Sequence, residues 1–210
     1  MSETSHRPEL VALEIADPPE RWEALGFSVS PDQVVELGGV SLRLGADGDG
    51  IVAWTLRGIA ATSSIDGLPT RVIDQSVGRE GPGERLGHDD PGHPNGAVAI
   101  DHVVIVSPDF DGTADAVAAA GIPLRREAER NGARQGFRRL GPAIMEIVQV
   151  PEGPTRFWGL VVIVSDLDAL AERLGDLLRE TRPAVQPGRR IAPLRSKAGL
   201  GPAVAFMDPS

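Results

Sequence analysis

The sequence predicts an α+β protein built from repeated βαβββ modules. Three observations carry that expectation. A strand-like run, a short capped helix and further strand-like runs recur in this order three times along 210 residues. Two stretches about 60 residues apart echo each other in letters. Glycine (25) and proline (18) together make about a fifth of the chain, which excludes a long-helix protein and calls for many turns.

The first unit covers residues 9–59. Leu10–Ile15 reads as a strand, Asp17 as an N-cap and Pro18 as the first helical position. Trp22 and Leu25 share one face of that helix, and Gly26 stops it. Val34–Leu37, Val40–Leu44 and Ile51–Leu56 follow as strands, turned by Gly38-Gly39 and by Asp47–Gly50. Asp47–Gly50 is a turn and not a calcium loop, because Gly58 stands where the bidentate Glu is needed.

Residues 60–98 break the order. Thr70–Ile73 is a short strand at most, and Arg79–Gly96 is Gly/Pro/Asp-rich without periodicity, as in a connector or lid. The second unit opens with Ala99–Val106. Asp109 or Asp111 then caps a helix carrying Phe110, Ala114 and Val117, and strands follow near Leu124–Arg126, Gly136–Leu140 and Ile144–Val150. The third unit has Phe157–Val164, an Asp166-capped helix with Leu167, Leu170, Leu174 and Leu177, and strands near Ala184–Gln186, Ile191–Arg195 and Ala203–Met207. Val103-Val-Ile-Val-Ser is echoed by Val161-Val-Ile-Val-Ser, and Gly141-Pro-Ala-Ile-Met-Glu by Gly201-Pro-Ala-Val-Ala-Phe. The expected organisation is an N-terminal module (1–60), a connector (61–98) and a pair of modules (99–210).

Net charge is −9, which argues against nucleic acid as a partner. Cysteine is absent, so disulfides, thiolate catalysis and Cys-type zinc sites are excluded. No signal-like N-terminus or membrane-spanning run is present, and a soluble cytoplasmic chain is expected. No phosphate loop, dinucleotide fingerprint or serine elbow occurs. The charge is uneven: residues 1–60 carry 10 acids against 4 bases, whereas residues 125–139 hold six Arg against two Glu. Residues 179–199 hold five Arg and the only lysine, Lys197, against Glu180. Arginine forks suit carboxylate or phosphate. If some face inward, the ligand is anionic; if not, they pair with the acidic first module. Arg138 and Arg190 are the preferred pocket residues, since both fall on or beside expected strands.

The run Ile100-Asp-His-Val-Val-Ile, the Asp-capped helix and the closing Met145-Glu-Ile-Val resemble the vicinal oxygen chelate (glyoxalase-like) superfamily. That family includes glyoxalase I, extradiol dioxygenases, methylmalonyl-CoA epimerase and bleomycin-resistance proteins. The resemblance implies that paired βαβββ modules form a curved-sheet bowl around a divalent metal or a small molecule. By position it makes His102 and Glu146 metal ligands and catalytic groups. The corresponding places of the third module hold Leu160 and Phe206, and those of the first hold Leu10 and Trp54, so only two of the usual ligands are present.

An imidazole and a carboxylate among Val, Ile and Met are costly to bury unless paired or metal-bound. They bind an ion together, or they pair with each other or a ligand. Gln135 and Gln149 are further oxygen donors, and Trp158 opens a strand where it can line the mouth. His88–His93 is a second metal-like cluster, or simply a solvated loop. Two functions follow: a metal-dependent lyase, isomerase or dioxygenase acting on a small anionic molecule, or a metal-free protein that sequesters one. The first module lacks a partner within the chain, so a homodimer through that module is expected.

Overall fold

The computed structural model describes residues 7–74 and 92–209. Its elements are β1 (Glu9–Ile15), α1 (Pro19–Ala24), β2 (Val34–Leu37), β3 (Val40–Arg43), β4 (Ile51–Arg57), β5 (Ser64–Ile65) and β6 (Leu68–Ile73). They continue with β7 (Ala97–Ser107), α2 (Phe110–Ala119), β8 (Arg126–Arg130), β9 (Ala133–Leu140), β10 (Ala143–Gln149) and β11 (Arg156–Val164). The last are α3 (Leu167–Leu174), β12 (Arg182–Pro183), β13 (Arg190–Pro193) and β14 (Ala203–Met207).

The second and third modules form one eight-stranded sheet, ordered β12-β13-β14-β11-β7-β10-β9-β8. In each half the first and last strands pair in parallel, β7 with β10 and β11 with β14. The halves join through the antiparallel β7–β11 pair. Asp109 and Asp166 cap α2 and α3 through backbone amides of the first turn, Gly112 in one case and Asp168 and Ala169 in the other. Asp111 is not the cap. The α1 start also differs from expectation: Pro18 is the N-cap, with no side-chain bond. Asp17 is instead buried and accepts from Trp22 Nε1 (3.3 Å) and from the Gly201 amide (2.9 Å), tying the first module to the last hairpin.

The N-terminal sheet differs from the predicted βαβββ unit. Its order is β2-β3-β1-β4-β6-β5. Here β1 pairs in parallel with β3, β4 pairs in parallel with β6, and β1 meets β4 antiparallel. This repeats the plan of the larger sheet with one strand fewer in each half and a helix in the first half alone. Strand β4 therefore opens a second reduced module instead of closing the first. The partner sought in another copy lies in the same chain, so the premise of the homodimer expectation does not hold.

Both sheets contribute to one continuous core. Trp54 meets Phe157 edge-to-face at 5.3 Å, and Phe27 stacks on Phe206 at 6.2 Å. Trp54 is fully buried and its indole N–H donates to Thr70 Oγ1 at 2.7 Å. Close strand approach depends on Gly159, where a Cβ would lie 2.0 Å from the Ala203 carbonyl oxygen. Trp54→Ala removes a ring that both sheets pack against, and it is expected to cost about 3–5 kcal/mol. Urea denaturation followed by fluorescence and by circular dichroism measures this. A loss below about 1 kcal/mol would show that the two sheets are not mutually stabilising.

Candidate functional site

Alternation along the strands divides the eight-stranded sheet into a core face and an open face. Val103, Ile105, Met145 and Ile147 are fully buried on the core face. His102, Val104, Ile144 and Glu146 lie on the other, by the register pairs Ile144↔His102 and Glu146↔Val104. A register shift between β7 and β11 leaves Asp101 unpaired, with Val161 opposite His102 and Val162 opposite Ile100. This β-bulge sets the buried Asp101 and His102 side by side.

The Asp101 carboxylate has two partners. Oδ2 contacts His102 Nδ1, and Oδ1 accepts from Arg189 Nη1 at 2.8 Å. Burial by itself would raise the Asp101 carboxyl, but His102 and Arg189 outweigh it and hold the group below its ordinary range. Arg189 is buried, its Nε donates to the Asp208 carbonyl at 2.8 Å, and its Nη2 has no hydrogen-bond partner.

On the adjacent strands Glu146 accepts from Gln135 Nε2 at 3.1 Å through Oε1. Burial pushes the Glu146 carboxyl up, against the opposing charges of His102 and Arg130. Phe137, the register partner of Glu146, meets the His102 ring edge-on at 6.4 Å. Arg126 is paired with Phe137 across β8–β9, and its guanidinium lies 5.7 Å from that ring's centre. Arg126, Ala128 and Arg130 share the open face by the same alternation, so the edge strand gives it a basic rim.

Three expected residues come together here: His102, Glu146 and Gln135. The others do not. Arg138 pairs with Met145, on the core face. Arg190 is bound by Asp208 and Asp168, an exposed cluster that fastens β13 to α3. Trp158 sits in a second bulge between Phe157 and Gly159, is 50% exposed, and makes no ring contact among the described residues. Gln149 follows Ile147 on the core-side parity, in a rim cleft with Pro108, Asn131 and Pro151. Residues 88–91 of the metal-like cluster lie outside the described residues. Its remaining member, His93, is bound to the Ser28 amide (3.0 Å) and the Glu36 carbonyl (2.9 Å), which is structural work.

The open face continues into the third module as Val161, Ala205 and Met207. Leu160 and Phe206 pair with Val103 and Val162 and are buried in the core. The letter echo is thus one residue out of step with the faces, and a slip of one reverses every side chain. The corrected positions still offer no donor. Among the described residues, a divalent ion on this face would have only the His102 imidazole, the Glu146 carboxylate and the Gln135 amide. Among the described residues no three His, Asp or Glu side chains are grouped to hold a metal. The donor set does not fit a resident divalent ion.

No protein-family model matches the sequence, and no curated protein matches it. Among solved structures the chain is similar to methylmalonyl-CoA epimerase from Mycobacterium tuberculosis, at 20% identity over 55% of this chain and 90% of that one, with a TM-score of 0.46. It is similar to a variant of Streptomyces coelicolor methylmalonyl-CoA epimerase in complex with 2-nitronate-propionyl-CoA, at 19% identity over 54% and 96% of the chains, TM-score 0.46. A hypothetical protein from Bacillus halodurans aligns at 14% identity over 53% and 94%, TM-score 0.44. No helix among the described residues is long and apolar enough to cross a membrane. In residues 97–207 the paired modules, each with parallel outer partners and an antiparallel join, have the paired-module arrangement that the sequence resemblance implies.

Proposed function

We propose that the open face of the eight-stranded sheet binds a small anionic, oxygen-bearing molecule, and that His102 and Glu146 exchange protons with it. The reaction class is an isomerisation or elimination that begins at a carbon beside a carbonyl. The observation that carries this reading is an imidazole and a carboxyl that burial keeps protonated more readily on one face of adjacent strands, among Val104, Ile144 and Phe137. His102 takes the carbon-bound proton. Glu146 donates to the oxygen on which charge develops, its Oε1 being occupied by Gln135. The Arg126 and Arg130 rim draws the anion to the face. No step here runs through a metal.

Proton NMR in D2O with a panel of small 2-oxo and 2-methyl carboxylates tests the chemistry. Deuterium is expected to enter at the carbon beside the carbonyl, with a loss of about 100-fold or more in His102→Ala and in Glu146→Gln. A panel member that raises Tm yet exchanges no deuterium would replace proton transfer by simple sequestration.

The raised Glu146 carboxyl also sets a pH dependence. Its folded pKa exceeds the unfolded one, so the unfolded chain releases this proton first as pH rises. Stability from this group is therefore full at acid pH and falls as pH climbs from about 4 through the folded value. Glu146→Gln lacks that loss. Its Tm should gain on the wild type as pH rises towards neutrality, and parallel melting curves at every pH would refute the burial argument.

A further inference from the structure

We propose that Arg189 and Asp101 are positioning residues for His102: an Arg–Asp–His relay that fixes the imidazole with its proton on Nδ1 and leaves Nε2 as the basic nitrogen. The inference deepens the proton-transfer reading and rests on it for its purpose, though not for its geometry. On the open-face positions of β11 and β14 the third module has Arg156 at the start of β11, opposite Val106, and then Val161, Ala205 and Met207. It reaches the imidazole through Arg189, just before β13, which bonds Asp101 in the second module at 2.8 Å.

Each link of the relay is constrained. Arg189 is held by the Asp208 carbonyl on Nε and by Asp101 on Nη1, and it is 9% exposed. Asp101, also 9% exposed, accepts a hydrogen bond from Arg189 on one oxygen and sets the other against His102 Nδ1 in an ion-pair contact without aligned hydrogen-bond geometry. A carboxylate can only accept, so the ring nitrogen facing it carries the proton. An imidazole protonated there accepts through Nε2, and no hydrogen bond occupies that atom among the described residues. A lone buried carboxylate would be costly, and the guanidinium offsets that cost. Removing Arg189 should therefore loosen Asp101 and let the ring exchange tautomers.

Nitrogen-15 NMR of histidine-labelled protein at alkaline pH, where an imidazole is neutral, reads the tautomer directly. Among the 4 histidines, the His102 signal is assigned by its absence in His102→Ala. In the wild type the two-bond pattern is expected to show Nδ1 protonated. Arg189→Met and Asp101→Asn are expected to lose it, giving the mixed pattern of a free imidazole, while Arg189→Lys restores it in part. A wild-type ring protonated on Nε2 overturns the relay without any variant, as does an unchanged pattern in folded Arg189→Met. The two readings separate cleanly. An Nδ1–H pattern with no deuterium exchange keeps the relay and removes the chemistry. Exchange with an Nε2–H ring keeps the chemistry and removes the relay.

Discussion

The eight-stranded sheet must bury one of its faces completely, and that demand governs the rest of the molecule. Val103, Met145, Val162 and Phe206 occur on four adjacent strands and are fully buried, in one core with residues of α2, α3 and the second sheet. Fully burying each such side chain contributes about 1.5–3 kcal/mol. A side-chain period of two then leaves the intervening residues on the opposite face with no choice of side. The polar groups of the candidate site are there because the core face has no room for them.

The small N-terminal sheet is the cover. Its two reduced modules repeat the pairing of the large sheet but omit one strand each, which leaves a compact slab. Trp54 and Phe27 reach from that slab to Phe157 and Phe206. Polar ties complete the fit. Asp17 holds the last hairpin through the Gly201 amide, and Asp66 in the β5–β6 turn accepts from the Thr155 hydroxyl at 2.9 Å. A chain that covers its own apolar face has no need of a second copy for that purpose.

The candidate site is unequal between the two halves of the large sheet. The second module supplies the carboxyl, the imidazole and the amide, and the third supplies Val161, Ala205 and Met207, with Arg156 at the start of β11 and Arg189 reaching across. Adjacent residues have opposite fates: Arg189 is buried against Asp101, whereas Arg190 is exposed in a cluster with Asp168 and Asp208. The β7 bulge has the same kind of effect. One extra residue in the strand makes neighbours of Asp101 and His102, which strict alternation would send to opposite faces.

The βαβββ order of residues 97–207 was legible because its signals are local. Apolar runs, Asp caps before Phe110 and Leu167, and glycines after the helices act over a few residues. Boundaries slipped where they depended on partners: the strand expected near Leu124 begins at Arg126, because Leu124 packs near Gly136 beside Phe110. His102, Glu146 and Gln135 were found from chemistry that stands out against an apolar strand. Asp101, Arg189, Phe137 and the Arg126–Arg130 rim were missed, although alternation outward from Glu146 would have reached Phe137 and Arg126. By itself the sequence determined the module order, the absence of thiol chemistry and the presence of an imidazole and a carboxyl on one strand pair. The tertiary structure alone decided which face each residue joins, that β4 belongs to a second reduced module, and that an arginine from the third module meets Asp101. The reason is that cross-strand register and bulges are set by pairing between distant segments, and a shift of one residue reverses every face.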